Sequence, residues 1–277
     1  MSTCRSASGK TSRRSILKAS VVAGAGMTLI TPFGWTAKAQ DSYTIAFIQG
    51  VIGDNFYITM DCGARAKAES LGNVTIDTQG PERFDQTLQT PILNAVVQSG
   101  PDAIMMAPND FQGMIAPIQA AIDAGVPVLC VDTTIDSDIQ LGDVATDNVE
   151  GGRLAARGLA EQIGGAGKVF VVNTIPGIST TDQREQGFRE AIEQEFPDIE
   201  YLGQEFSNND SNVAAQIVSA RLQSDPDLAG IFGTNLFAAQ GGAAALRQQN
   251  LQGQVKMVGF DAGPTQVQDL KSETVDL

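Results

Sequence analysis

The residues of this chain that could do chemistry are carboxylates, amides, one guanidinium and aromatic rings that follow short apolar runs. Carboxylates, amides and a guanidinium suit hydroxyl groups, which donate and accept hydrogen bonds at once. Aromatic rings can cover the C–H faces of a sugar ring. The composition therefore predicts a polyol-binding site. The candidate ligand-binding residues are Asp54, Phe56, Tyr57, Asn109, Asp132, Arg184, Asn208, Asn235, Phe260 and Asp261.

Each candidate also has a structural interpretation. Asp and Asn after strands are often helix N-caps, and Asn109 precedes a helical pattern, so a cap is favoured there. Asp132 and Asp261 are favoured as ligands, because each ends its strand at the matching place of an internal repeat. The adjacent aromatics 56–57 could equally belong to a helix core, and Arg184 could be a solvated helix residue.

Nothing in the sequence points to catalysis, a metal or a cofactor. The chain has no histidine, which excludes Ser-His-Asp triads, Cys-His dyads and His-ligated zinc. The segment 164–168 reads GGAGK but continues with Val169, so it is not a phosphate-binding P-loop. Residues 50–53 lack the third glycine of a dinucleotide-binding loop, and 136–141 has Leu141 where a calcium loop needs Gly.

Strands and helices that alternate along the chain must position these residues. Apolar runs predict strands at 43–49, 74–78, 103–107, 127–131, 141–145, 168–173, 200–206, 229–233 and 255–260. Stretches of 3.6-residue periodicity predict helices at 54–71, 84–98, 111–124, 148–163, 181–195, 210–223, 235–249 and 264–272. This alternation predicts an α/β fold with parallel sheets and helices on both faces.

The two halves of the chain resemble each other. In the first half, a strand leads to Asn109, then to a helix and to a second strand that ends in Asp132. The second half has the same order, with Asn235 and Asp261 at the matching places. The Asn-to-Asp intervals are 23 and 26 residues. The repeat predicts two similar doubly wound, Rossmann-like lobes joined by a hinge, with lobe 1 at 40–146 and lobe 2 at 147–277.

The first 39 residues have the pattern of an export signal. They hold six of the 18 basic residues and no acidic residue, and an apolar run from Ala19 to Ile30 is followed by an Ala-x-Ala cleavage site ending at Ala39. The segment 12–18, SRRSILK, resembles a twin-arginine signal, with Ile16 where Phe is commoner. Cleavage near Ala39 predicts an exported, periplasmic protein.

The remaining chain is strongly acidic. Residues 40–277 contain 12 basic and 32 acidic residues, a net charge of −20, which argues against a nucleic-acid partner. A bridge between Cys62 and Cys130 is conceivable in an oxidising compartment, and two buried free thiols are the favoured interpretation.

Over residues 43–277 the chain resembles type I periplasmic sugar-binding proteins, the ribose/galactose/xylose-type family of ABC importers. The resemblance rests on GDNFY at 53–57, PND at 108–110, VD at 131–132, ATDN at 145–148 with Gly151-Gly152, Arg184 with Gly187-Phe188, and VGFD at 258–261. It implies a ligand bound between two lobes, with the first crossover at Thr146-Asp147.

The resemblance also implies roles for single residues. Segment 54–57 supplies a polar group and two stacking aromatics, Asp132 accepts from sugar hydroxyls, and Arg184, Asn235 and Asp261 serve the second lobe.

Departures from the ribose-binding pattern accompany these matches. Asp54 replaces Asn, Thr133 replaces Arg and Asn208 replaces a stacking Phe. The lost charged donor at 133 and the lost ring at 208 argue against ribose itself. The family pattern also continues past Leu277 with a ligand-binding Gln and a return crossover to the first lobe, so C-terminal elements are expected to be missing.

The resulting expectation is a monomeric substrate-binding component of an ABC importer, which hands a sugar or polyol to a membrane permease. Two alternatives stay open at this point. One is a binding protein that feeds a chemoreceptor or sensor kinase, and the other is an exported α/β enzyme with a bound cofactor. A repressor domain of the same fold would need a helix-turn-helix where the export signal stands.

Overall fold

The computed structural model describes residues 42–277, and strands alternate with helices throughout that part of the chain. The strands are β1 Tyr43–Ile48, β2 Val74–Gln79, β3 Ala103–Met106, β4 Val128–Val131, β5 Asp143–Val144, β6 Gly167–Asn173, β7 Ile199–Phe206, β8 Leu228–Gly233 and β9 Lys256–Gly259. The helices are α1 Asn55–Leu71, α2 Gln86–Ser99, α3 Ile115–Asp123, α4 Asn148–Gln162, α5 Ser179–Glu195, α6 Ser211–Ser224, α7 Leu236–Gln249 and α8 Pro264–Lys271.

The strands form two parallel sheets with the same internal order. The first sheet has the order β2-β1-β3-β4-β5 and the second has the order β7-β6-β8-β9. The four-strand pattern of the second sheet repeats that of β2-β1-β3-β4, which confirms the predicted α/β fold with two similar lobes. Between β5 and α4 the chain passes from the first sheet to the second, since α4 packs against β8 and β9.

Alternating side chains on the central strands explain why each sheet is covered on both faces. On β1, Ala46 and Ile48 point to the core shared with α2 and α3, whereas Phe47 points to the core shared with α1. On β6, Phe170 and Val172 face α6 and α7, whereas Val169 and Val171 face α4 and α5. Period-two alternation of buried residues is what a doubly wound sheet requires.

Local capping sets the ends of the helices in the first lobe. The Asp54 side chain accepts from the Phe56 backbone N–H at the start of α1, and Gly72 ends the helix with φ +79°. The predicted helix at 111–124 begins only at Ile115. The reason is that Asp110 Oδ1 accepts from the backbone N–H groups of Gln112 and Gly113, which holds the preceding residues in turns.

Helices α4 and α5 lie unusually close together. A Cβ added at Gly152 would lie 2.0 Å from the Arg184 carbonyl oxygen, and one at Gly187 would lie 1.9 Å from the Val149 carbonyl oxygen. Only residues without a side chain allow backbones to approach this closely. This contact holds Arg184 beside the first turn of α4.

The cysteine prediction is half right. Cys130 is a buried free cysteine on β4, as expected. Cys62 is disulfide-bonded, which corrects the expectation of a buried free thiol. Cys62 is half-buried on α1 instead of lying in the core. The predicted export signal at 1–39 lies outside the described residues. Within residues 42–277 no helix is long and apolar enough to cross a membrane.

Candidate functional site

The carboxyl ends of both sheets border one small cavity. It has a volume of about 40 Å³, and its wall is built by the loops after β1, β2, β4, β6, β8 and β9 and by the N-terminal ends of α1 and α5. Ligands of open parallel sheets bind at these strand ends. The lining residues are Asp54, Phe56, Tyr57, Phe84, Asp132, Thr174, Ile178, Thr180, Thr181, Arg184, Asn235 and Asp261.

Asp54 combines a capping role with a place on the cavity wall. Its Oδ1 accepts from the Phe56 backbone N–H at 2.9 Å, which fixes the carboxylate at the N-terminus of α1. Burial raises the pKa of this carboxyl group, the hydrogen bond to Phe56 N–H opposes that shift, and the nearby Asp261 carboxylate adds to it. Among residues 42–277, the other carboxylate oxygen of Asp54 has no hydrogen bond.

Tyr57 and Asp132 form a hydrogen-bonded pair in the first lobe. The Tyr57 hydroxyl donates to Asp132 Oδ2 at 2.7 Å, and the Tyr57 ring is 1% exposed. Burial raises the pKa of Asp132 to about 6, although the Tyr57 hydrogen bond and the Arg184 charge lower it. Asp132 has a left-handed backbone with φ +67°. The hydrogen bond orients the carboxylate through Oδ2, and among residues 42–277 Oδ1 has no hydrogen bond.

Arg184 is the basic group of the cavity wall, and it is held on three sides. Its Nε donates to Asn148 Oδ1 at 2.8 Å and its Nη1 donates to the Thr234 carbonyl oxygen at 2.9 Å. The Phe260 ring stacks on the guanidinium, with Cζ 3.6 Å from the ring centroid. Burial lowers the pKa of Arg184, and the Asp261 and Asp132 carboxylates oppose this. The guanidinium remains a fixed positive charge.

Asn235 and Asp261 complete the part of the cavity wall that the second lobe supplies. Asn235 caps α7 by accepting from the Ala238 backbone N–H, and its amide also donates to Asn209 Oδ1 at 2.7 Å. Asp261 Oδ2 accepts from the Leu236 backbone N–H at 2.9 Å. Like Asp132, Asp261 has a left-handed backbone, with φ +73°. The two aspartates thus occupy equivalent places after β4 and β9, the fourth strands of their repeats.

Seven of the ten predicted site residues line the cavity and three do not. Phe260 lies behind Arg184 and stacks on it. Asn109 is buried and donates from Nδ2 to the Gly50 carbonyl oxygen, so it braces the loop after β1 instead of capping α3. Asn208 is exposed and adopts a left-handed turn with φ +53°.

Several lining residues were not predicted, namely Phe84, Thr174, Ile178, Thr180 and Thr181. Phe84 lies in the loop after β2, with its ring centroid 6.2 Å from that of Tyr57. Its place after a predicted strand was the available signal. Thr174 and Thr181 hydrogen-bond to each other through their hydroxyls at 2.7 Å.

Two hydrogen bonds join the lobes beside the cavity. The Phe111 backbone N–H donates to the Gly177 carbonyl oxygen at 2.8 Å. The Thr134 backbone N–H donates to Ser179 Oγ at 2.9 Å. The two bonds do not involve the charged residues of the cavity wall, so the lobes are joined by groups other than those carboxylates and the guanidinium.

Comparison with known proteins assigns the family. The profile of a family described as a periplasmic binding protein domain matches residues 45–277. The chain belongs to this family. A solved ABC transporter solute binding protein from Agrobacterium vitis, bound with alpha-D-tagatopyranose, is 44% identical, has a TM-score of 0.82, and the match covers 84% of this chain and 81% of that one.

Two further relatives of this periplasmic binding protein are more distant. A carbohydrate transporter solute binding protein from Agrobacterium radiobacter, in complex with D-arabinose, is 28% identical with a TM-score of 0.82, over 84% of this chain and 81% of that one. The D-ribose/D-allose-binding protein of Pseudomonas aeruginosa is 28% identical over 81% of this chain and 72% of its own length.

Proposed function

We propose that this protein is the substrate-binding component of an ABC importer and that it binds a monosaccharide or a related polyol between its two lobes. The observation that carries the proposal is the cavity wall itself, in which carboxylates from both lobes and one buried guanidinium stand beside aromatic rings. Such groups accept from and donate to the hydroxyls of a neutral ligand. The sugars bound by the relatives support this ligand class.

Binding requires the lobes to move apart and close. A cavity of about 40 Å³ holds about three waters, which is fewer atoms than a monosaccharide has. We place the lobes at 40–146 and 147–277, with the hinge in the segment 145–147 between β5 and α4. Ligand contacts to both lobes then stabilise the closed form. The closed form presents a surface to the membrane permease, and the protein itself catalyses no reaction.

The cellular setting follows from the N-terminal residues. Export by the twin-arginine route with cleavage near Ala39 would deliver a periplasmic monomer. The mature chain carries a net charge of −20, which is compatible with a soluble receptor and with a neutral ligand.

A thermal-shift panel tests the proposed function. Mature protein is heated with D-tagatose, D-arabinose, D-ribose, D-allose and the matching alditols. At least one compound is expected to raise the melting temperature, with a shift that grows with ligand concentration, because only the folded state binds it. An Arg184→Ala variant, which lacks the guanidinium, serves as the control and should lose the shift. If no compound on the panel shifts the wild type, the sugar proposal fails.

The Asp132 carboxyl group predicts a pH dependence of sugar binding. Its pKa is raised from 3.8 to about 6, so the neutral form is favoured in the folded protein up to that pH. Sugar hydroxyls donate to the ionised form, so affinity is expected to rise as pH increases through 6 and to fall by up to about tenfold per pH unit below it. Calorimetric titrations between pH 4.5 and 8 measure this.

Tyr57→Phe isolates the cause of that pH dependence. The Tyr57 hydrogen bond lowers the pKa of Asp132, so its removal should move the loss of affinity to higher pH. Tyr201→Phe is the matched control, because the Tyr201 hydroxyl also donates to a carboxylate, that of Glu185, at 2.7 Å. Neither Tyr201 nor Glu185 lines the cavity. Identical pH profiles for the Tyr57 variant and the wild type would contradict the assigned role of this hydroxyl.

A further inference from the structure

Asn148 is a buried amide at the start of α4 that lies behind the cavity wall, not in it. Its Oδ1 accepts from Arg184 Nε at 2.8 Å, and its Nδ2 donates to the Thr146 carbonyl oxygen at 3.0 Å. Arg184 Nε can only donate and the Thr146 carbonyl can only accept, so both bonds require the same orientation of the amide. The side chain is thus fixed between the interlobe segment and the cationic group of the site.

The remaining contacts of Arg184 show what this amide controls. The Thr234 carbonyl oxygen accepts a hydrogen bond from Nη1, and the Phe260 ring covers one face of the guanidinium. Asn148 is the partner that fixes the guanidinium at its Nε edge. Within residues 42–277 the structure gives Nη2 no hydrogen-bond partner, so this nitrogen is left for a ligand. The direction of Nη2 depends on the Nε contact, because the guanidinium is planar and rigid.

We propose that Asn148 is a positioning residue for ligand binding, which aims the Arg184 guanidinium at the ligand from the segment where the chain passes between the lobes. The inference rests on the proposed function for the identity of the ligand, whereas the Arg184–Asn148 hydrogen bond is seen in the structure whatever the ligand is. Among the described residues, no group of the first lobe or of the segment 145–147 has a hydrogen bond to Arg184, and Asn148 is bonded to that segment through the Thr146 carbonyl oxygen. Asn148 is therefore the group through which the interlobe segment sets the geometry of the cation.

The alternative is that Asn148 only stabilises the start of α4. Substitution of the neighbouring residue distinguishes this structural role from the positioning role. Asp147 caps α4, with Oδ1 accepting from the Glu150 backbone N–H at 3.0 Å, and it is exposed. Asp147→Ala removes the cap and weakens the same helix end while leaving the Arg184 contact in place. Asn148→Asp keeps an oxygen acceptor for Arg184 in a side chain of the same shape but loses the N–H that donates to the Thr146 carbonyl oxygen. Asn148→Ala removes the acceptor.

Two measurements on the mature protein test the positioning role. In calorimetry with D-tagatose, or with D-ribose or D-allose if one of these binds instead, Asn148→Ala should weaken binding about 10- to 100-fold, the worth of a hydrogen bond to a charged group. Asn148→Asp, which keeps the acceptor for Arg184, should lose less affinity than Asn148→Ala, and Asp147→Ala should stay within about threefold of wild type. In nitrogen-detected NMR of the sugar-free protein, the Arg184 Nε–H should exchange with water at least about tenfold faster in Asn148→Ala only.

The outcomes keep the two proposals apart. Failure of the wild type to bind every probe sugar defeats the proposed function, and the exchange measurement then still decides the role of Asn148. Wild-type affinity in Asn148→Ala, or an unchanged Arg184 Nε–H exchange rate, overturns the positioning role. An equal loss of affinity in Asp147→Ala and Asn148→Ala also overturns it, because the loss would then come from the end of α4.

Discussion

Asp132→Asn is expected to weaken sugar binding about 30-fold or more while the protein stays folded. The substitution keeps the shape of the side chain and its tolerance of the left-handed backbone at φ +67°. It removes the charge and turns one acceptor into a donor, so a ligand hydroxyl meets an N–H where it needs an oxygen. Breaking one side of a buried charged hydrogen bond costs about 2 to 5 kcal/mol, and about 1.4 kcal/mol is tenfold in Kd.

Calorimetry with the sugar identified by thermal shift measures this loss. Asp132→Ala and Asp261→Ala are each expected to abolish binding as well. Asn208→Ala is the control, because Asn208 has a comparable left-handed backbone at φ +53° but is exposed and outside the cavity wall. An affinity close to wild type for Asp132→Asn, with the control also unchanged, would remove Asp132 from the site.

Much of the fold could be predicted, because local signals and the repeat agree. The apolar runs around Phe47 and Phe170 predict strands, and the structure places both inside their sheets, with side chains that alternate between two cores. The equivalence of Asp132 and Asp261 was visible as spacing. The structure adds that both backbones are left-handed, with φ +67° and +73°, which spacing alone does not reveal.

The site was harder to predict, because a residue type does not specify its partner. Asn109 precedes a helical pattern, but a turn made by Asp110 delays α3, and the amide braces Gly50 instead. Tyr57 was considered as a stacking ring or a core residue, and its main polar contact is a hydrogen bond to an aspartate 75 residues away. Such contacts depend on the mutual position of distant strands, which periodicity does not encode.

Gly187→Ala is expected to destabilise the protein by about 3 kcal/mol or more, the upper range for overpacking. The added Cβ would lie 1.9 Å from the Val149 carbonyl oxygen, which belongs to the backbone of α4 and cannot rotate away. Helices α4 and α5 must then separate, and the separation also breaks the Arg184–Asn148 contact that spans them. The melting temperature should fall by about 6 °C or more, since each kcal/mol is worth about 2 to 4 °C in a domain of this size.

Gly63 provides the matched control for this effect. It lies in α1, the first helix of the first lobe, as Gly187 lies in α5, which follows the first paired strand of the second lobe. A Cβ at Gly63 meets nothing within 4 Å, and Gly63 is exposed in the middle of α1. Gly63→Ala should therefore stabilise the protein by about 0.5 to 1 kcal/mol through helix propensity alone. Opposite shifts of the melting temperature for the two variants would show that close backbone contact, not helical glycine as such, is what the second lobe requires. A Gly187→Ala variant as stable as the wild type would contradict that requirement and, with it, the packing that holds Arg184 at the cavity.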